Sequence, residues 1–219
     1  PLPGLALGAA YAALAWALAR VHAVPVSFIA LSLVAASCAL TRCLHIDGLA
    51  DLADAWGSAA PRERALEIMR DSRTGAFGVA AIALALGARA AAAFEISHAH
   101  SLDGGLRALV PLVLAPVIGR FAAAWLIQWF PYARVSGKGS HFLERKPVAD
   151  LLAAALLAGG AAWGLHGARG LILLAASVPA VHAFGSFWNR KYNGLTGDIY
   201  GAGIEIFEVA ALWAGLMLL

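Results

Sequence analysis

Apolar residues run through this chain in long stretches, broken by two polar segments of different length. A hydrocarbon core of ~30 Å needs about 20 helical residues. By that measure seven stretches read as spans: 4–19, 24–44, 76–96, 106–130, 148–165, 170–188 and 201–219. Residues 45–75 form the longest connection and 131–147 the next. Within the first, Pro61 is well placed for the opening turn of a helix. Residues 62–70 then read as a short amphipathic helix, with Ala65, Leu66, Ile68 and Met69 resting at the membrane interface. The expected fold is all-α: a polytopic membrane bundle of seven transmembrane helices, a short interfacial helix in the 45–75 loop, and one domain over 1–219.

Composition removes the other classes. Of the 219 residues, 61% are hydrophobic and 13% charged, against ~25% charged in ordinary domains. A soluble domain this small could not cover its surface, and a disordered chain would be more polar. Two cysteines make no disulfide scaffold, and a net charge of +3 is too small to indicate nucleic acid. Alternate loops sort by charge. One side collects Arg62, Arg64, Arg70, Arg73, Arg134, Lys138, Arg145, Lys146, Arg190 and Lys191; the other has Arg20, Arg107 and Arg169. The positive-inside rule puts the first side in the cytoplasm and the C-terminus outside. The chain opens at Pro1 inside an apolar stretch and is read as N-terminally truncated or processed. The oligomeric state is open, a homo-oligomer included.

The most informative stretch is His45-Ile-Asp-Gly-Leu-Ala-Asp-Leu-Ala-Asp-Ala-Trp-Gly57. Asp47, Asp51 and Asp54 are spaced i, i+4, i+7, which on a helix puts them within about 60° of one another. Stacked like charges repel, and desolvation at a membrane boundary adds to the cost. A hard divalent cation removes that repulsion, and carboxylates suit Mg²⁺, which also takes substrate phosphates. Further on, Arg73 can fork onto phosphate oxygens beside Gly75 and Gly78. Asp71 either completes the metal site or pairs with Arg70 or Arg73. Arg120 lies inside a span and must find a carboxylate, a substrate phosphate or the interface. Lys138 sits in a Gly-containing loop that can cradle phosphate. Asp198 is a second candidate ligand. Glu205 and Glu208, in the first turns of the last span, should face the bundle interior, Glu205 pairing with Arg120 as one option.

Three stretches resemble the adenosylcobinamide-GDP ribazoletransferase (cobalamin 5′-phosphate synthase) family: HIDGLADLADAWG at 45–57, ERALEIMRDSRTGAFG at 63–78 and NGLTGDIYGAGIEIFE at 193–208. APVIGRFAAAW with PYAR adds a weaker fourth. Against that family the chain is read as lacking the usual segment before the first span. The resemblance implies a Mg²⁺-dependent membrane transferase joining adenosylcobinamide-GDP to α-ribazole or its 5′-phosphate, with release of GMP. The family's acidic motif falls on Asp47, Asp51 and Asp54, its DSR stretch on Asp71, Ser72 and Arg73, and its TGD stretch on Thr196, Gly197 and Asp198; metal is then expected at the three aspartates and phosphate binding at Arg73, Arg120, Lys138 and Thr196. The proton acceptor would be His45, Asp71 or Asp198. It further implies a multi-pass protein of the inner (plasma) membrane with its site on the cytoplasmic face. A CDP-alcohol phosphatidyltransferase-like enzyme also stacks aspartates beside a DG pair, but follows it with Ala-Arg where this chain has Ala50-Asp51. A transporter would spread acids through the membrane depth, whereas these gather on one side.

Overall fold

The structure is a computed structural model that describes residues 1–103, 105–133 and 148–219. Helices α1 (Leu2–Ala19), α2 (Val26–Thr41), α3 (Leu44–Gly57), α4 (Arg62–Ile68), α5 (Ala76–Asp103), α6 (Val110–Trp129), α7 (Val148–Tyr192) and α8 (Gly197–Met217) follow in order, with a 3₁₀ turn at Leu106–Leu109 before α6. The one strand-like pairing among the described residues is a single bridge between Tyr132 and Leu195. The all-helical expectation holds.

Five helical stretches are long and apolar enough to cross a membrane: Leu2–Ala19, Ala76–Leu102, Leu106–Trp129, Val148–Tyr192 and Gly197–Met217. Helices α2 and α3 pass only together, as a pair bent by 87°. That makes five or six spans with α7 taken as one helix, fewer than the seven expected. The difference lies in α7. Its 45 residues would reach ~68 Å if straight, about twice the bilayer core. Gly167 breaks it at φ 59° and ψ −139°, where a residue without Cβ is at ease. Beyond the break the backbone of Gly170 packs onto the carbonyl of Ala162. In a straight helix residues eight apart are ~12 Å distant, so the chain doubles back. The expected boundary between 148–165 and 170–188 falls on this turn, and dividing α7 there brings the count to six, or to seven with the bent α2–α3 pair taken as one crossing.

The core sits around α6 and α8. Within their apolar windows 67% and 61% of residues are buried, against 22% in α1, α5 and α7. Leu31, Leu84, Leu156 and Ile172 are left exposed, as side chains facing lipid tails can be. Burial from water contributes nothing between helices in hydrocarbon, so close packing must hold them. Gly4 and Gly8 illustrate this, letting α1 lie directly on the backbone of Pro116 and Val113 in α6.

The polar loops gather at one end. Arg62 Nε donates to the Tyr192 carbonyl at 2.7 Å and Arg62 Nη2 to the Ala133 carbonyl at 3.4 Å. The Ala133 N–H donates to the Leu195 carbonyl at 2.8 Å. A positively charged side chain thus satisfies carbonyls that a helix end leaves open. At the opposite end Arg169 Nη1 donates to the Leu218 carbonyl at 2.7 Å.

Candidate active site

Helix α3 turns off α2 where Arg42 and Cys43 take left-handed φ values of 53° and 57°. The turn sends α3 across the direction of α2, along the loop end of the bundle. Its apolar side, with Ile46, Ala50, Leu52 and Ala55, is buried. Asp47 is exposed, and Asp51 and Asp54 are half-buried. The expected acidic stripe therefore exists on a helix. The Asp47 carboxylate makes no hydrogen bond or ion pair among the described residues.

Two segments far apart in the chain meet on this helix. Gly48 lies against the backbone of Asp198, so closely that a Cβ would come 2.7 Å from the Asp198 carbonyl oxygen. Asp198 opens α8 and thereby flanks the acidic stripe. The Gly75 N–H donates to Asp54 Oδ2 at 2.7 Å and the Gly78 N–H to Asp54 Oδ1 at 2.8 Å. These are groups at the start of α5 with no partner within that helix. Asp54 thus caps α5 from α3, and is not a spare ligand like Asp47.

Several expected roles change. Thr196 is fully buried. Its Oγ1 accepts from the Ile199 N–H at 3.3 Å and lies 3.3 Å from Asp198 Oδ2 and 3.6 Å from Met69 Sδ. It is the N-cap of α8, the usual work of a threonine there, and its burial sets it apart from the expected phosphate-binding group. Asp71 is gripped by Arg73, with Nη2 at 2.6 Å from Oδ2 and Nε at 3.0 Å from Oδ1. Hydrogen bonds from the Arg73 side chain and backbone hold the Asp71 carboxyl down at about 2. That favours the charged form too strongly for a useful base. Of the options for Asp71, the pair with Arg73 is the one formed. The Arg73 side chain itself is 86% exposed and remains open to a ligand.

His45 points away from the acids. Two residues of helix turn the chain by about 200°, so His45 and Asp47 lie on opposite faces. His45 lines a small interior cavity with Ser37, Thr41, Arg89, Glu205 and Glu208. Below it lies a buried charge network. Arg89 Nη2 donates to Glu205 Oε1 at 2.7 Å and to Glu208 Oε2 at 3.1 Å, and Arg120 pairs with Glu208. Arg120 is therefore committed to a carboxylate, not to substrate phosphate, because a charge held away from water needs a partner. Glu205 pairs with Arg89 and not with Arg120. Sequence reasoning passed over Arg89, although the signal was present: a lone arginine within an apolar span and two glutamates one turn apart in another. Lys138 and Arg134 lie outside the described residues.

Among the described residues no three His, Cys, Asp or Glu side chains form a group able to hold a metal ion. The expected trio is not a closed cage, since Asp54 is turned to α5. Asp47 and Asp51 stand one helical turn apart on one face, Asp51 with an interaction of its own. Mg²⁺ keeps several waters and is commonly held by one or two carboxylates plus substrate phosphate. This oxygen donor set fits that mode and does not fit an all-protein site.

The model of a family described as cobalamin-5-phosphate synthase matches residues 1–216. An adenosylcobinamide-GDP ribazoletransferase of Syntrophobacter fumaroxidans is 43% identical over 98% of this chain and 83% of its own length. One of Roseiflexus is 41% identical over 97% of this chain and 75% of its own. One of Klebsiella pneumoniae is 38% identical over 98% and 84%. No solved structure matches the chain. The 45–57, 63–78 and 193–208 stretches that converge on α3 fall inside the matched span, and the chain belongs to the cobalamin-5-phosphate synthase family.

Proposed function

We propose that the chain catalyses the adenosylcobinamide-GDP ribazoletransferase reaction, the last joining step of cobalamin assembly, at the cytoplasmic face of the inner (plasma) membrane. Family membership supports the reaction. The observation that carries the site is the seating of Asp198 on Gly48, which sets the start of α8 beside the acidic face of α3. The ten-to-three sorting of basic residues between the loops supports the sidedness.

A hydroxyl of α-ribazole, or of its 5′-phosphate, attacks the corrinoid-side phosphorus of the diphosphate. A new P–O bond forms, the bridging P–O bond breaks, and GMP leaves. Negative charge builds on the phosphoryl and leaving oxygens, so positioning and fixed positive charge do the catalysis. Mg²⁺, held by Asp47 and Asp51, would neutralise diphosphate oxygens. Arg73 exchanges its exposed pair with Asp71 for substrate phosphate. Exposed pairs contribute only ~0–1 kcal/mol, so the exchange is inexpensive. Asp198 takes the hydroxyl proton; His45 faces elsewhere and Asp71 is too acidic. Lys138 adds positive charge from the loop after α6.

The test is direct. Purified protein given Mg²⁺, the GDP-activated corrinoid and α-ribazole should release GMP and joined product in equal amounts, and chelation should stop both. GMP no higher than in a heat-killed control overturns the reading.

A further inference from the structure

We infer that Asp54 is a positioning residue: its carboxylate clamps the start of α5 and thereby holds the Arg73 loop over the acidic face of α3, leaving metal and substrate to Asp47 and Asp51. The three aspartates look alike in sequence, but the structure divides them. Both Asp54 oxygens accept a backbone N–H, from Gly75 at 2.7 Å and Gly78 at 2.8 Å. Those N–H groups lie 21 and 24 residues away in sequence, so the contact closes the whole segment that carries α4 and the Arg70–Arg73 turn. A negative side chain is well placed there, because the start of a helix carries partial positive charge.

The two glycines fit the clamp and little else. A Cβ on Gly75 would come 2.6 Å from Asp54 Oδ1, and the three atoms nearest to it would all belong to that carboxyl. A Cβ on Gly78 would meet Asp54 Oδ2 and the Thr74 methyl. The backbone comes this close only because neither residue has a side chain. Asp51 is three residues before Asp54, about 4.5 Å along the helix axis. A loop fixed at Asp54 therefore stands within a turn of the carboxylates that face substrate. The clamp acts through Arg73, whose role rests on the ribazoletransferase reading; the clamp itself does not.

Two readouts separate these. Hydrogen exchange is followed on the full chain in lipid nanodiscs, without substrate. In Asp54→Ala the amides of Gly75 and Gly78 should exchange at least tenfold faster than in the parent, while amides in the middle of α6 do not change. Asp54→Asn keeps the shape and one acceptor, should fall between, and serves if the alanine variant fails to fold. Gly75→Ala should speed exchange in the parent background but add less than threefold in Asp54→Ala, where its obstacle is gone. In turnover, Asp54→Ala should raise KM for the GDP-activated corrinoid while the Mg²⁺ concentration giving half-activity moves less than threefold. A structural prop alone would lower the amount of active protein and leave KM in place. Unchanged exchange at Gly75 and Gly78, an unmoved KM, or a shift of threefold or more in the Mg²⁺ requirement overturns the assignment. If the parent shows no turnover, the function fails and exchange alone decides the clamp.

Discussion

Carboxylates stand on both sides of α3, and the two sets are handled in opposite ways. Inside the bundle, Glu205 and Glu208 meet Arg89 and Arg120 from two other helices. Two cations face two anions, all from this chain. On the loop side Asp47 has no ionic partner among the described residues, and Asp54 is satisfied by backbone N–H groups rather than by a cation. Buried charge must be neutralised at home because leaving it bare in hydrocarbon is costly. Charge at the boundary can wait for a partner that arrives with substrate. The difference separates acids that pair with cations inside the bundle from acids that we propose meet metal and substrate at its edge.

The comparison breaks most visibly at Glu208. Glu208→Ala leaves Arg120 bare and Arg89 with one partner, and removing half of a buried pair destabilises by about 3–5 kcal/mol. The expected result is a large fall in melting temperature and yield in detergent. Parent-like melting would mean that the network carries no structural weight. Next in size is Asp47→Asn. Turnover should fall on the order of 10²–10³-fold, as when one fixed electrostatic group is lost from a site, with melting unchanged. Activity near the parent would move Asp47 out of the site.

Thr196→Val tests the border between the two sets. Losing the α8 cap should cost about 1 kcal/mol, read as a modest drop in melting temperature that Thr196→Ser restores. A tenfold rise in KM for the corrinoid with unchanged melting would return Thr196 to substrate binding. The smallest effect concerns pH. The Asp71 carboxyl is lowered from 3.8 to about 2 by Arg73. A depressed value stabilises above the unfolded pKa and is lost as pH falls through the folded one. The Asp71–Arg73 pair should therefore persist through neutral pH and down past pH 4, its stabilising contribution fading between about 3.8 and 2, with NMR titration of the folded Asp71 carboxyl giving a midpoint near 2. Release near neutral pH would restore Asp71 as a candidate base.

Much of this was legible before any coordinates. Runs of apolar residues marked the crossings, and the i, i+4, i+7 spacing marked the acidic face because helix geometry alone decides it. What was not legible depended on partners remote in sequence. Nothing local says that Asp54 reaches Gly75 and Gly78, or that Arg120 selects Glu208 over a phosphate. Thr196 shows the same limit: a threonine before Gly-Asp suits a phosphate loop and a helix cap equally, and only its burial decides. His45 fails for another reason. It is adjacent to the motif in sequence, but two residues of helix carry it to the far side.

The buried network also sets a schedule for synthesis. Arg89 leaves the ribosome 116 residues ahead of Glu205, which at ~5–20 residues per second is roughly 6–23 seconds. Through that interval Arg89, joined by Arg120 once it is made, must be sheltered by the insertion machinery, by water or by lipid headgroups, because the acids that neutralise them belong to α8. The charge network can lock only once α8 arrives, so release of a nascent chain before α8 would strand cationic helices that the bilayer rejects.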